Sequence, residues 1–336
     1  MTLLDRYFAA SEERHALAEE DFKDCGAFRL GSFDWPAGPA HAGVDDFVAA
    51  VQRVVASADD FYAVRARNRD FKLDGRSLTY SSAHPDGTAN DTVCVHVVER
   101  RRAADKAVII IPHWNALQDH YLALATALAR FGFDAFILTL PHHVPRSSSS
   151  HTQVANAFLN ADLGAAIRSV RQAVVDARTL TGWLKDSGYA DVHLVGASLG
   201  SCVASLTAAF DPRISRCALL LTAGDFADTV WTGRATAHIR RTIEDHISIE
   251  QLRQAWAVIS PLNFVTRFAA SGTPLLMVSG RRDAVVRFGL ASDYAGALKT
   301  AGADLRWRVL PCGHYTLGAF PFSIMMVAEL LRFLRR

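Results

Sequence analysis

One serine in this chain lies in a local pattern that favours nucleophilic chemistry. Ser198 is the centre of Gly-Ala-Ser-Leu-Gly at 196–200, which follows the apolar run 192–195 and precedes the apolar stretch 202–210. Small residues on both sides of a serine allow a sharp, strained turn from strand to helix, which lifts the hydroxyl above a sheet. The five-residue pattern alone is weak, but with a strand before it and a helix after it, it predicts Ser198 as a nucleophile.

A serine hydroxyl attacks a carbonyl carbon only when a base takes its proton. His314, in Pro-Cys-Gly-His-Tyr at 311–315, follows the last predicted strand, and the glycine-containing loop there can bring the imidazole over Ser198. His238 and His246 also follow the serine, but both lie in a helical interval that interrupts the strand pattern. We therefore expect His314 to be the base.

A carboxylate has to hold the tautomer of that imidazole and stabilise its positive charge. Asp283 follows the predicted strand 274–278 through a turn, and the order serine, acid, histidine along the chain suits it. Asp225, which follows the preceding strand, is the alternative acid. Either aspartate could instead form a turn or cap a helix.

The oxyanion that forms during attack on a carbonyl requires two fixed donors. The backbone N–H of Leu199, directly after the nucleophile, is the first candidate. The second should come from the loop after the strand 107–111, where we expect the N–H of Trp114 to serve, with Asn115 as the alternative. His113 is expected to line the site as a loop residue.

The elements around these residues alternate between short apolar strands and helices. The apolar runs that predict buried parallel strands are 107–111, 135–140, 192–195, 217–221, 274–278 and 305–309. The stretches that predict helices are 119–131, 155–187, 199–210, 288–301 and 323–335. This alternation predicts an α/β fold with a mostly parallel sheet covered by helices on both faces. Ligands bind such sheets beyond the carboxyl ends of the strands.

Two segments depart from that alternation. Residues 1–65 form a predicted helical N-terminal segment, with a helix at 45–56, and a domain at 66–336 begins with an antiparallel hairpin within 71–100. The N-terminal segment could cover the site, form a dimer contact or brace the sheet. About fifty residues separate the strands at 217–221 and 274–278, and we interpret 225–262 as a helical cap over the active-site edge.

With these motifs together, residues 70–336 resemble the α/β-hydrolase superfamily. A closer resemblance is to bacterial relatives of the abhydrolase-domain 18 type, which carry His-Gly-Trp after the third strand and Leu-Pro-Tyr-His…Arg after the fourth. This chain has Pro-His-Trp at 112–114 and Leu-Pro-His-His-Val-Pro-Arg at 140–146. The resemblance supports Trp114 as an oxyanion donor, but His113 replaces a glycine, and its Cβ restricts positive φ.

The same resemblance implies that His142, His143 and Arg146 lie near the pocket entrance. They would either bind a polar group of the substrate or order the loop. They lack the carboxylate or third histidine, suitably spaced, that would complete a metal site, so we expect no metal there. We expect no cofactor either.

Composition excludes several classes of partner. Lys and Arg exceed Asp and Glu by only two, so no strong field attracts nucleic acid or an anionic membrane. The sequence predicts neither a secretory signal nor a membrane span, since no apolar run reaches about 18 residues. The five cysteines are scattered, which favours free thiols in a reducing cytoplasm.

The predicted activity is hydrolysis of a carboxylic ester or thioester through a Ser-His-Asp triad and an acyl-enzyme. The substrate class, a small acyl compound, follows from the resemblance. An acyltransferase or a C–C bond hydrolase could use the same triad. A catalytically silent binding protein is the alternative from another class, although such proteins often lose a triad residue. Whether the chain forms a homo-oligomer is left open.

Overall fold

A computed structural model describes residues 8, 10–15, 23–33, 41–65, 70–99, 105–147 and 155–336, and the structural statements below concern these residues. Nine strands form one sheet in the order β1-β2-β3-β5-β4-β6-β7-β8-β9. The strands are β1 Lys72–Asp74, β2 Ser77–Ser81, β3 Thr92–Val98, β4 Lys106–Ile111, β5 Asp134–Leu138, β6 Asp191–Ala197, β7 Ile214–Leu220, β8 Leu275–Gly280 and β9 Leu305–Leu310. The helices are α1 Val44–Ala56, α2 Ala58–Phe61, α3 Leu122–Arg130, α4 Leu163–Asp186, α5 Leu199–Phe210, α6 Phe226–Thr232, α7 Ala237–Ile243, α8 Ile249–Ala255, α9 Val265–Ala270, α10 Phe288–Thr300 and α11 Phe322–Leu334.

The six apolar runs of the sequence form the parallel part of the sheet, which confirms that prediction. In the part of the sheet with the order β5-β4-β6-β7-β8-β9, every adjacent pair of strands is parallel. Both faces of β4, β5 and β8 are buried almost completely, so these strands carry no polar alternation. The carboxyl ends of the parallel strands meet at one edge, where the loops carrying the candidate site residues begin.

The start of the sheet is antiparallel, as the sequence predicted. β1 pairs with β2, β2 with β3, and β3 with β5, all antiparallel. β2 and β3 alternate between buried and more exposed residues. These strands extend the sheet on the side away from β9.

Helices cover both faces of the sheet and bury two apolar cores. One core contains apolar side chains of α1, α4, α5 and α10, and the other contains those of α3 and α11. This sandwich is the predicted fold class. Among the helices of the described residues, none is long and apolar enough to cross a membrane.

Two predicted helices begin later than the sequence indicated. The stretch predicted at 155–187 is helical only from Leu163, because Asp162 caps α4 by accepting the N–H of Ala165 at 2.9 Å. The stretch predicted at 119–131 opens with a 3-10 turn, Gln118–Tyr121, before α3 begins at Leu122. Before α4, the apolar residues Ala155, Phe158, Leu159 and Ala161 are buried in a loop and not in a helix.

Helices also occupy the two segments that depart from the strand alternation. Residues 10–15, α1 and α2 are helical, and the helix predicted at 45–56 is confirmed as α1. The rest of the N-terminal prediction and the boundary near residue 66 fall partly outside the described residues. Between β7 and β8 the chain forms α6, α7, α8 and α9.

Candidate active site

Ser198 occupies a strained turn between β6 and α5. Its φ of 52° and ψ of −119° are uncommon for a residue with a side chain. The backbone N–H of Ser198 donates to the carbonyl of Leu220 at 2.8 Å, which ties the turn to β7. A Cβ at Gly200 would collide with the carbonyl oxygens of Ile111 and Pro112. The predicted need for small neighbours is therefore visible as backbone contact.

His314 and Asp283 form a hydrogen-bonded pair. His314 Nδ1 lies 2.8 Å from Asp283 Oδ2, and Asp283 is only 7% exposed. The other oxygen, Oδ1, accepts the backbone N–H groups of Val285 and Val286 at 2.9 and 2.7 Å. With its proton on Nδ1, the imidazole presents Nε2 as a proton acceptor.

Asp225, the alternative acid, is bound to a helix end. Its side chain accepts the N–H of Asp228 at 2.9 Å and so caps α6. Burial raises the pKa of Asp225 above its ordinary value, against the hydrogen bond from Asp228, which lowers it. The structure thus assigns Asp225 the capping role and pairs Asp283 with the imidazole.

A cavity that opens to solvent lies beside Ser198, with about 590 Å³ of empty space when its open part is included. Most of its wall is apolar, and the interval between β7 and β8 provides a large part of it. The lining residues are Trp114, Leu159, Ser198, Leu199, Ser201, Cys202, Leu221, Ala223, Asp225, Phe226, Thr229, Val230, Ala235, Thr236, Pro261, Val285 and Val286. Both predicted oxyanion donors, Leu199 and Trp114, are in this wall together with Ser198.

The two oxyanion candidates after β4 differ in their hydrogen bonds. The backbone N–H of Asn115 donates to His143 Nε2 at 3.0 Å, and this bond disfavours Asn115 as the alternative donor. Trp114 is fixed through its indole N–H, which donates to the carbonyl of Ala155 at 3.2 Å. Asn115, and not His113, adopts the left-handed conformation, with φ 63°. His113 therefore does not need the positive φ that its Cβ restricts.

His113 is held by a tyrosine. Its backbone N–H donates to Tyr121 Oη at 3.1 Å, and its Nδ1 lies 2.7 Å from the same oxygen. Burial first, and then the nearby His314, lower the pKa of His113 to about 3. The ring is therefore neutral near pH 7.

The loop after β5 is held by a buried ion pair. The Arg146 side chain is fully buried and donates to Asp176 Oδ2 at 2.9 Å, to the carbonyl of Thr139 at 3.0 Å and to that of Asn90 at 2.9 Å. His143 is also buried and connects this loop to Asn115. Of the two roles open for Arg146 and His143, this geometry favours ordering the loop.

His142 belongs to the same loop and is partly exposed. Its backbone N–H donates to Asn90 Oδ1 at 3.0 Å, and its φ is 61°. Burial lowers the pKa of His142 to about 4. A substrate contact by this side chain remains a proposal.

Sequence reasoning missed one carboxylate near the histidine. Glu12 is 2% exposed, and its Oε1 accepts the backbone N–H of Tyr315 at 3.0 Å. Nothing in the sequence around it, Ser-Glu-Glu-Arg at 11–14, distinguishes it from a solvated helix face.

The described residues contain no cluster of three His, Cys, Asp or Glu side chains that could hold a metal ion.

No protein-family model matches this chain, and no curated protein matches its sequence. Solved structures do match it. A carboxyl esterase from Bacillus coagulans has a TM-score of 0.59 and 14% identity, over 79% of this chain and 99% of that one. An acetyl xylan esterase from Paenibacillus sp. R4 has a TM-score of 0.58 and 14% identity, over 94% and 98%. An esterase from Pyrococcus furiosus has a TM-score of 0.54 and 17% identity, over 80% and 92%.

These likenesses establish the fold. The chain has the mostly parallel, helix-covered sheet of the α/β-hydrolases, in agreement with the resemblance seen in the sequence. Identities of this size concern the fold alone, and the closer likeness to the abhydrolase-domain 18 type stays a prediction.

Proposed function

We propose that this protein is a serine hydrolase that cleaves a carboxylic ester or thioester. The observation that carries the proposal is the strained turn that exposes Ser198 on an apolar cavity, in a chain whose His314 is paired with a buried aspartate. The esterase activity of the structural neighbours agrees with it. All five cysteines are free, which suits the reducing cytoplasm expected for this enzyme.

In the proposed reaction, Ser198 Oγ attacks the acyl carbonyl carbon while His314 Nε2 takes the hydroxyl proton. Asp283 stabilises the resulting imidazolium, and the N–H groups of Leu199 and Trp114 hold the oxyanion. The tetrahedral intermediate collapses to an acyl-enzyme and releases the alcohol or thiol, protonated by His314. Water then attacks the acyl group with His314 as base, and the acid leaves.

The cavity wall limits the substrate class. Its apolar side chains favour an uncharged acyl or alcohol group, and the Asp225 carboxylate in the wall disfavours an anionic one. We assign residues 225–262 as the cap, because Phe226, Val230 and Pro261 all face this cavity. A small neutral ester is therefore the proposed substrate, and no cofactor enters the reaction.

The test is covalent labelling of Ser198 together with hydrolysis of p-nitrophenyl esters from acetate to palmitate. We expect a fluorophosphonate probe to label the folded protein at Ser198 and the ester panel to show burst kinetics. Ser198→Ala and His314→Ala should each reduce kcat by about 10⁴-fold or more, and the double variant should lose little beyond either one.

A matched control is Ser57→Ala, because Ser57 is exposed, lies outside the cavity wall and donates its hydroxyl to the carbonyl of Arg53, so the label should stay on Ser198. Absence of an adduct on Ser198 in folded protein would support the silent binding protein instead. If the double variant loses the product of the two single losses, Ser198 and His314 do not act as a unit.

A further inference from the structure

The N-terminal helical residues dock directly on the loop that carries His314. Phe8 packs on Phe322 with ring centroids 6.0 Å apart, and His15 stacks on Tyr315 at 4.7 Å. Between these contacts lies Glu12, whose carboxylate is buried against the loop. The segment that sequence reasoning left without a definite role is thus in contact with the proposed base loop.

Glu12 fits this loop closely. Its Oε1 accepts the N–H of Tyr315 at 3.0 Å, and a Cβ at Gly313 would collide with the same carboxylate. Its Oε2 is buried with no hydrogen-bond partner among the described residues. A buried carboxylate oxygen without a partner is costly, which suggests a functional reason for its position.

We propose that Glu12 is a positioning residue for the base, resting on the proposed hydrolase function. Its hydrogen bond to Tyr315 and its contact with Gly313 fix the position of the loop that carries His314. Its negative charge stabilises the protonated form of His314. Asp283 and Glu12 then act on the imidazole from two different elements. The N-terminal segment is accordingly part of the active site.

Several titratable or charged groups face this cluster, and they come from each element packed on it. They are Asp283, His113, Cys312, His15 and Arg282. Burial raises the pKa of Glu12, while the Tyr315 N–H and His314 lower it. Attraction between Glu12 and His314 works in both directions, so an ionised Glu12 raises the pKa of the imidazole.

The experiment measures the rate at which diethyl p-nitrophenyl phosphate phosphorylates Ser198 as a function of pH, by release of p-nitrophenolate. The acidic limb of this profile reports the pKa of the base in the free enzyme. Glu12→Gln should move that limb to lower pH by about 0.5–1 unit. Glu13→Gln is the matched control, because the Glu13 carboxylate pairs with Arg234 at the surface. The acidic limb of its pH profile should coincide with that of the wild type.

Superimposed limbs for Glu12→Gln and the wild type would overturn the proposal. That result differs from failure of the proposed function, in which the reagent would not phosphorylate Ser198 in the wild type at all. A shift of equal size in Glu13→Gln would also overturn it, because loosened docking of the segment would then explain both.

A second experiment tests the contact between Glu12 and Gly313 and does not require that the Glu12→Gln variant folds. Gly313→Ala places a Cβ against the Glu12 carboxylate and should slow phosphorylation at least tenfold. Adding Glu12→Ala removes the collision, so the double variant should react faster than Gly313→Ala alone. A double variant as slow as Gly313→Ala, or slower, contradicts the contact on which the proposal stands.

Discussion

At the residue scale, the site depends on which carboxylate faces the imidazole. Asp283→Asn would place an amide N–H against His314 Nδ1, which favours the tautomer that cannot accept the serine proton. We expect kcat for p-nitrophenyl ester hydrolysis to fall by about 10³–10⁴-fold, less than for Ser198→Ala. Asp225→Asn keeps a good capping side chain on α6, so its kcat should stay within about tenfold of the wild type. A larger loss for Asp225→Asn than for Asp283→Asn would contradict the assignment of the acid.

How well single residues could be predicted depends on how local their signal is. Ser198 and Gly200 carry a pattern that reports a steric requirement within five residues. Asp283 and His314 follow predicted strands, so the sheet edge places them. The donor after β4 was ambiguous because the N–H of Asn115 is occupied by His143, a contact between distant loops. Glu12 had no signal at all, since only the tertiary fold buries it.

At the element scale, the loop after β5 depends on one buried ion pair. Burial raises the pKa of Asp176 even though Arg146 opposes the shift, so the carboxylate is poorly solvated and needs its partner. Arg146→Met should therefore lower the free energy of unfolding by about 3–5 kcal/mol, measured by urea denaturation at pH 7. Because the loop also holds His143 and hence Asn115, activity should fall before the protein unfolds.

The matched control for this loop is Arg332→Met, which removes a partly exposed ion pair with Glu329 on α11 and should cost less than about 1 kcal/mol. Adding Asp176→Leu to Arg146→Met should restore at least about half of the lost stability, because no unpaired charge remains buried. If the double variant is as unstable as the sum of the single variants, the pair is not what stabilises the loop.

Elements were predictable where burial alone defines them. The parallel strands have apolar side chains on both faces, so a short apolar run is sufficient to indicate them. The start of α4 could not be predicted in this way, because the apolar residues of 155–162 pack as a loop. Only the Asp162 cap defines the first turn of the helix. Composition cannot distinguish a buried loop from a buried helix turn.

At the scale of the whole molecule, the sheet edge collects residues that are far apart in sequence. Glu12, Trp114, Ser198, Asp283 and His314 come from five separate segments, and the parallel strands bring four of them to one side. The N-terminal helical residues add the fifth by docking on the His314 loop. Stability of the sheet and geometry of the site are therefore linked, and conditions that weaken the sheet should also affect the site.

Acid should weaken the sheet through His193 on β6. This side chain is 2% exposed, and neither ring nitrogen has a hydrogen-bond partner among the described residues. Burial, together with Lys106 and other cations, lowers the pKa of His193 to about 4, against the opposite effect of Asp191. Since its ordinary value is about 6.5, the unfolded chain binds the proton more tightly. The stability conferred by the neutral ring is therefore complete above about pH 6.5 and is lost as the pH falls toward 4.

We expect His193→Leu to reduce this loss, because leucine cannot be protonated. Relative to the wild type, its free energy of unfolding should gain about 2 kcal/mol between pH 7.5 and pH 5, measured by urea denaturation at both values. Leu194→Val, which changes a buried side chain of the same strand without a titratable group, should keep the pH dependence of the wild type. Other buried histidines such as His113 titrate in both proteins, so the difference between variant and wild type isolates His193. Parallel pH dependences for His193→Leu and the wild type would show that the ring is not the group that makes the sheet sensitive to acid.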